Sequence, residues 1–210
     1  FLTDRRRAFQ ASKNVSKISR NIMDAYKRLE APAKDTIIDR IMKSDAYKND
    51  DERLADITVF LVAGHDSTAY SIAWILLELA RNPMQMTKLR ESLSNVPQED
   101  WSRSEVLRTI VKEGVRLHPV FAVGSIRTIG RDIETKTGML LPKGSIIFMP
   151  FIMLLRNPII FENENTFQPS RWEKPSKEMA DAFLPFSLGK QNCIGPASST
   201  HLTLPTKRIV

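Results

Sequence analysis

Cysteine is all but missing: the 210 residues hold one, Cys193. A single thiol cannot close an internal disulfide, so its use must be packing, reactivity or ligation. The chain likewise lacks the cysteine pattern of an oxidising compartment. Histidine is nearly as scarce, and His65, His118 and His201 stand at spacings from Cys193 that match no zinc site. No signal peptide opens the chain, which starts at Phe1, and it reads as an intracellular protein and a fragment. Zinc-finger spacing, groove-reading motifs and an aromatic RNA platform are absent too, so the formal charge of +7 is not matched by any nucleic-acid module. That charge is unevenly placed. Residues 1 to 30 hold eight Lys or Arg against Asp4, Asp24 and Glu30. Such a run is ordinarily a solvated helix face, and if it binds anything, an acidic protein or anionic lipid fits better than nucleic acid.

What is present is the composition of a soluble globular protein, 42% apolar and 26% charged, long enough to bury a core. Apolar residues at helical spacing predict a first helix over residues 1 to 30, ended by Ala31-Pro32-Ala33. A short helix follows through Ile37, Ile38, Ile41 and Met42, with Asp35 as its expected N-cap. From Asp51 or Glu52 to Arg81 the pattern predicts one helix of about 30 residues, on the order of 45 Å long, stopped by Asn82-Pro83. It is apolar nearly all round, which implies burial or a membrane span. Asp66 at its middle favours burial, because a carboxylate there costs roughly 2.5–3.5 kcal/mol in a bilayer. Further helices are expected over Met84 to Leu93 and Ser104 to Leu117, the latter capped by Ser104. Short strands are expected over Ala122 to Ile129, Asp132 to Thr137 and Ile146 to Phe151, between Gly130, Gly138 and Pro142-Lys143-Gly144 turns.

Three stretches carry chemistry. The first is the loop Phe186 to Gly195, where Gly189 and Gly195 bracket Cys193. A free cysteine is usually a small buried hydrophobe. The flanking glycines allow positive φ and close approach of a bulky group, and N–H groups turned towards the sulfur would stabilise the ligating thiolate. The second is Ala63-Gly64-His65-Asp66-Ser67-Thr68 in the middle of the long helix. Its hydroxyls could bond back to the preceding carbonyls while Asp66 pairs with an Arg or Lys, or the same groups could hold water beside a ligand. The third is Glu113 and Arg116, three apart on one helix face, which alone is a weak surface pair worth about 0.2–0.5 kcal/mol.

Together these stretches resemble motifs of the cytochrome P450 family. Phe186, Gly189, Cys193 and Gly195 match its F-x-x-G-x-R-x-C-x-G haem loop. The hexad resembles the [AG]-G-x-[DE]-T-[TS] oxygen-activation motif, Glu113 and Arg116 resemble E-x-x-R, and Phe167 to Trp172 resembles F-x-P-x-R-[FW]. The resemblance implies a mainly α protein with small β-sheets. Residues 1–195 would be the C-terminal portion of a P450 domain, and 196–210 an atypical tail that does not match the family. It implies Cys193 as the axial ligand of haem b, with Phe186, Gly189 and Gly195 shaping the loop. Gln191 stands where the family usually has Arg or His on a haem propionate, and Arg127 is a second propionate candidate beside the reading as an exposed strand-end Arg. Ala63 and Gly64 would open a groove for O2; Asp66, Ser67 and Thr68 would pass protons, with Ser67 replacing the usual Thr. Arg171 would lock its loop onto Glu113 and Arg116 as a structural clamp.

The activity so implied is insertion of one oxygen atom from O2 into an apolar substrate, with NAD(P)H-derived electrons from a reductase partner, weak or inactive in this fragment. The alternatives are a haem-thiolate isomerase or dehydratase and a non-enzymatic helical interaction fragment. Nucleic acid is not an expected partner. Membrane association is expected only through a missing N-terminal part, with the endoplasmic reticulum membrane as the location the resemblance allows for the intact protein.

Overall fold

The structure, a computed structural model, describes residues 2–195. They fall into two compact units, one ending at Asp66 and the other beginning at Ser67. The tail 196–210 lies outside the described residues.

In the first unit, α1 (Leu2–Arg28) and α2 (Ile37–Lys43) accompany the first half of α3 (Asp50–Arg81). Met23, Ile41 and Ile57, one from each helix, form its apolar core. The cap of α2 is Thr36, whose hydroxyl accepts from the Asp39 N–H, and not Asp35 as the sequence suggests. Asp35 is instead at φ 61°, in the left-handed region that a short polar side chain tolerates.

Asp39 ties this unit together. Its Oδ1 accepts from the Tyr26 hydroxyl at 2.6 Å and pairs with Lys43 Nζ at 2.8 Å, and its Oδ2 accepts from the Asp35 N–H. The Lys43 and Tyr26 hydrogen bonds hold the Asp39 carboxyl below its ordinary range, and the same contact with Asp39 pushes the Tyr26 phenol up. A depressed carboxyl gives stability that is present above its unfolded value and lost as pH falls through its lowered folded value. Urea midpoints of the first unit, followed by circular dichroism, should therefore fall as pH drops below about 4. Asp39→Asn should flatten that acid limb.

The second unit holds α4 (Pro83–Leu93), α5 (Glu105–Leu117), α6 (Phe151–Leu155) and α7 (Lys177–Ala182) together with two small antiparallel sheets. Strand β1 (Ser125–Thr128) pairs with β4 (Ile146–Met149), Ser125 opposite Met149 and Thr128 opposite Ile146. Strand β2 (Ile133–Glu134) pairs with β3 (Leu140–Leu141). Ser104 caps α5 as expected, its hydroxyl accepting from the Leu107 N–H. The expected first strand is shorter at both ends; at its start Ala122 and Val123 are turn, and Gly124 explains why. It sits at φ 77°, and a Cβ there would overlap the Met149 carbonyl. The expected third strand stops at Met149 because Pro150 starts α6.

The core of this unit is Ile75 and Leu79 from α3 against Ile110, Val111, Val115 and Leu117 from α5, with Phe167. Gly114 permits the approach, since a Cβ there would strike the Ile75 side chain. The reading of α3 as buried all round needs correction. Val59, Val62, Tyr70, Leu76 and Leu77 are exposed. Apolar composition on every face is a demand for cover, and the described residues supply it along one face only.

Candidate functional site

Among the described residues, Glu113 and Arg116 each take part in five hydrogen bonds. Both are 0% exposed, so the pair is far from a surface ion pair. Glu113 Oε1 accepts from Arg116 Nη2 at 2.8 Å, the Gln168 N–H at 2.9 Å and Arg171 Nε at 3.0 Å. Its Oε2 accepts from Arg116 Nε at 2.8 Å and from the Trp172 indole N–H at 2.9 Å. Arg116 is the bidentate partner. Its remaining N–H groups donate to the carbonyls of Leu155, Glu164 and Thr166. Arg171 reaches the carboxylate through Nε alone, because its Nη atoms donate to the Glu162 and Asn163 carbonyls. Burial of two guanidinium groups and a carboxylate is tolerable only when nearly every polar atom is satisfied, and here five main-chain carbonyls, the Gln168 N–H and the Trp172 indole do that. The result is a fixed path for residues 162–172.

Two contributors escaped the sequence. The Gln168 N–H is backbone and leaves no trace in residue identity. Trp172 could have been found: a buried indole N–H requires an acceptor, and Trp172 stands beside Arg171. It also packs edge-on to Phe183 with centroids 4.7 Å apart. A further restraint is Arg156, which donates through Nε and Nη2 to the Leu117 carbonyl at the end of α5. His118 caps the same end, stacked on Trp74 with centroids 4.2 Å apart and 2.8 Å from Glu78 Oε1.

The cysteine loop is built from Phe186, which packs against the Ile75–Leu117 core. Ser187 and Gly189 take positive φ, and residues Gly189–Gln191 form a 3-10 turn. The Gln191 side chain lies outside what the structure describes. The Cys193 N–H donates to the Phe186 carbonyl at 2.8 Å, closing the loop, and the Gly195 N–H donates to Cys193 Sγ at 3.4 Å. Cys193 is exposed. The space where a Cβ would stand on Gly189 is open. An accessible sulfur, an N–H aimed at it and open room beside the glycine are what an axial thiolate with a flat macrocycle over it needs. The residues fit haem.

Helix α3 runs unbroken through the polar hexad. Ala63, Gly64 and Asp66 belong to the first unit, Ser67 and Thr68 to the second. Gly64 faces open space. Asp66 is exposed and bonds with its neighbour, His65 Nδ1 lying 2.8 Å from Oδ1, rather than with an Arg or Lys. The Ser67 carbonyl accepts from the Ser71 hydroxyl, and Thr68 is buried. Arg127 lies within β1 opposite Ile147, half-buried, with Nη1 donating to the Ile126 carbonyl.

A mainly helical protein with small sheets, a buried carboxylate holding two arginines, and an exposed cysteine after positive-φ Ser187 and Gly189 are compatible with a haem-thiolate fold. Comparison with known proteins agrees. The cytochrome P450 family model matches residues 1–197. Taurochenodeoxycholic 6 alpha-hydroxylase of Sus scrofa is 33% identical over 162 residues, 73% of this chain and 32% of that protein. Cytochrome P450 4A22 of Homo sapiens is 32% identical over 165 residues, 73% of this chain and 31% of its own. Among solved structures, a crystal structure of a cytochrome P450, CYP102L1, superposes with a TM-score of 0.76 at 22% identity, covering 94% of this chain and 48% of that one. The chain belongs to the cytochrome P450 family. It spans about a third of the length of the curated relatives it matches.

Proposed function

We propose that the polypeptide of which these residues form part is a haem-thiolate monooxygenase acting on an apolar organic substrate. The observation that carries this reading is the exposed Cys193 sulfur with the Gly195 N–H donated to it at 3.4 Å. When bound through a cysteine thiolate, haem supplies O2 activation, the ligand's electron donation favouring O–O cleavage.

The chain's own residues have the following parts. Cys193 ligates, and the Gly195 N–H orients a lone pair on its sulfur. Arg127 and Gln191 are the candidates for the propionates, Arg127 by charge and Gln191 as a neutral donor. Ala63 and Gly64 leave room beside the helix, and Asp66, Ser67 and Thr68 hold and move protons there. Glu113, Arg116 and Arg171 have no chemistry in this reading; they hold the segment that leads into the cysteine loop. Electrons come from NAD(P)H through a reductase, and the intact protein sits at the endoplasmic reticulum membrane. Residues 1–195 act as the C-terminal portion of the domain, and the chain by itself is weak or inactive.

Haem titration of the purified chain tests the site. Reduced, CO-bound chain should show the absorption band of thiolate ligation. A band of imidazole ligation, or no binding, overturns the assignment.

A further inference from the structure

One side of α1 carries a charge pattern that the haem reading does not use. Arg6, Lys13, Lys17, Arg20 and Lys27 recur at steps of seven, four, three and seven, with Gln10 filling the gap after Arg6 and Arg28 beside Lys27 at the end, so they lie within one face of the helix about 100° wide. All are exposed. The seam runs about 33 Å at 1.5 Å per residue, and Asp24 is the one carboxylate within it. Lys27 is paired with Asp50. Among the described residues, no carboxylate forms an ion pair with Arg6, Lys13, Lys17, Arg20 or Arg28. At the border of the seam stands Phe9, three residues after Arg6 and four before Lys13. It is 64% exposed, with Lys13 Nζ 4.5 Å from its ring centre.

We infer that this face of α1 is a docking surface for anionic phospholipid. The geometry is one exposed helix face of cations on long stems, flanked by an aromatic ring. Cations on such stems reach headgroup phosphates while a ring enters the interface. The exposed ring of Phe9 beside the cations separates lipid from a folded acidic protein: a bilayer interface offers the ring apolar cover, and a charged protein surface does not. Duplex nucleic acid would want side chains placed to enter a groove, and the seam has none. The inference stands on α1 alone and does not depend on the haem assignment.

Each basic residue near an anionic membrane surface strengthens binding roughly fivefold. The intact chain should therefore co-sediment with phosphatidylcholine vesicles containing about 30% phosphatidylserine at about 0.1 M salt, and not with phosphatidylcholine alone. Binding should be released at about 0.5 M salt. Lys13→Gln, Lys17→Gln and Arg20→Gln together should weaken it on the order of 100-fold with the circular dichroism spectrum unchanged; if that variant does not fold, salt release from the unaltered chain carries the same test. Equal binding to both vesicle types, retention by the triple variant, or tighter binding to polyglutamate or a DNA duplex at the same salt overturns the inference.

Discussion

Replacing Glu113 by alanine is expected to cost about 3–5 kcal/mol of unfolding free energy, because it strands buried charges that have no other counter-ion. Arg116 is fully buried and would keep only carbonyl acceptors. The Gln168 N–H and the Trp172 indole would lose their acceptor as well, each a buried donor left unmade. Exposed Glu162, whose carbonyl rather than carboxylate serves the clamp, is the control, and Glu162→Ala should stay within about 0.5 kcal/mol. Denaturant unfolding of both variants at low and high salt decides the matter. A buried ion pair is little screened, so the Glu113→Ala deficit should persist in high salt. A deficit under about 1 kcal/mol would mean that the cluster opens to water and is not the closed network described.

The second large effect falls on ligation and leaves stability alone. Cys193 is exposed, so Cys193→Ser should change unfolding free energy by less than about 0.5 kcal/mol. The same substitution should remove the thiolate signature from the reduced, CO-bound spectrum, since a hydroxyl is no substitute for a thiolate as a ligand. The split between the two measurements is the informative result. A protein that loses both fold and spectrum together would place the cysteine in the core instead. Unchanged spectra in the serine variant would require a different ligand.

Much of this was legible in residue order, for identifiable reasons. The helix α5 showed itself through Ser104, a cap with an unambiguous reach to Leu107, and through apolar positions at 3.6-residue spacing. Asp35 and Thr36 are both good caps by type, and only the backbone angle at Asp35 separates them. The run Phe151-Ile152-Met153-Leu154-Leu155 has no period at all, so strand and helix were equally consistent with it until Pro150 was seen to start α6. Burial of α3 could not be read, because composition states which surface needs cover and not whether these residues provide it. In the clamp, Glu113, Arg116 and Arg171 carry their charges openly in the sequence. Their acceptor carbonyls and the Gln168 N–H belong to every residue alike, and that half of the network is visible only in three dimensions.

The reach of Arg116 also dictates an order of events. Its carbonyl acceptors lie 39, 48 and 50 residues further along, and the donors that join it on Glu113 lie 55 to 59 residues beyond that carboxylate. Contacts so distant in the chain close late, after the entropy of the intervening loop has been surrendered. During translation, α5 can coil as soon as it leaves the ribosome, yet its two charges must wait in water until Trp172 has been added. The segment carrying Cys193 emerges only after that, so the cysteine turn meets a frame already locked.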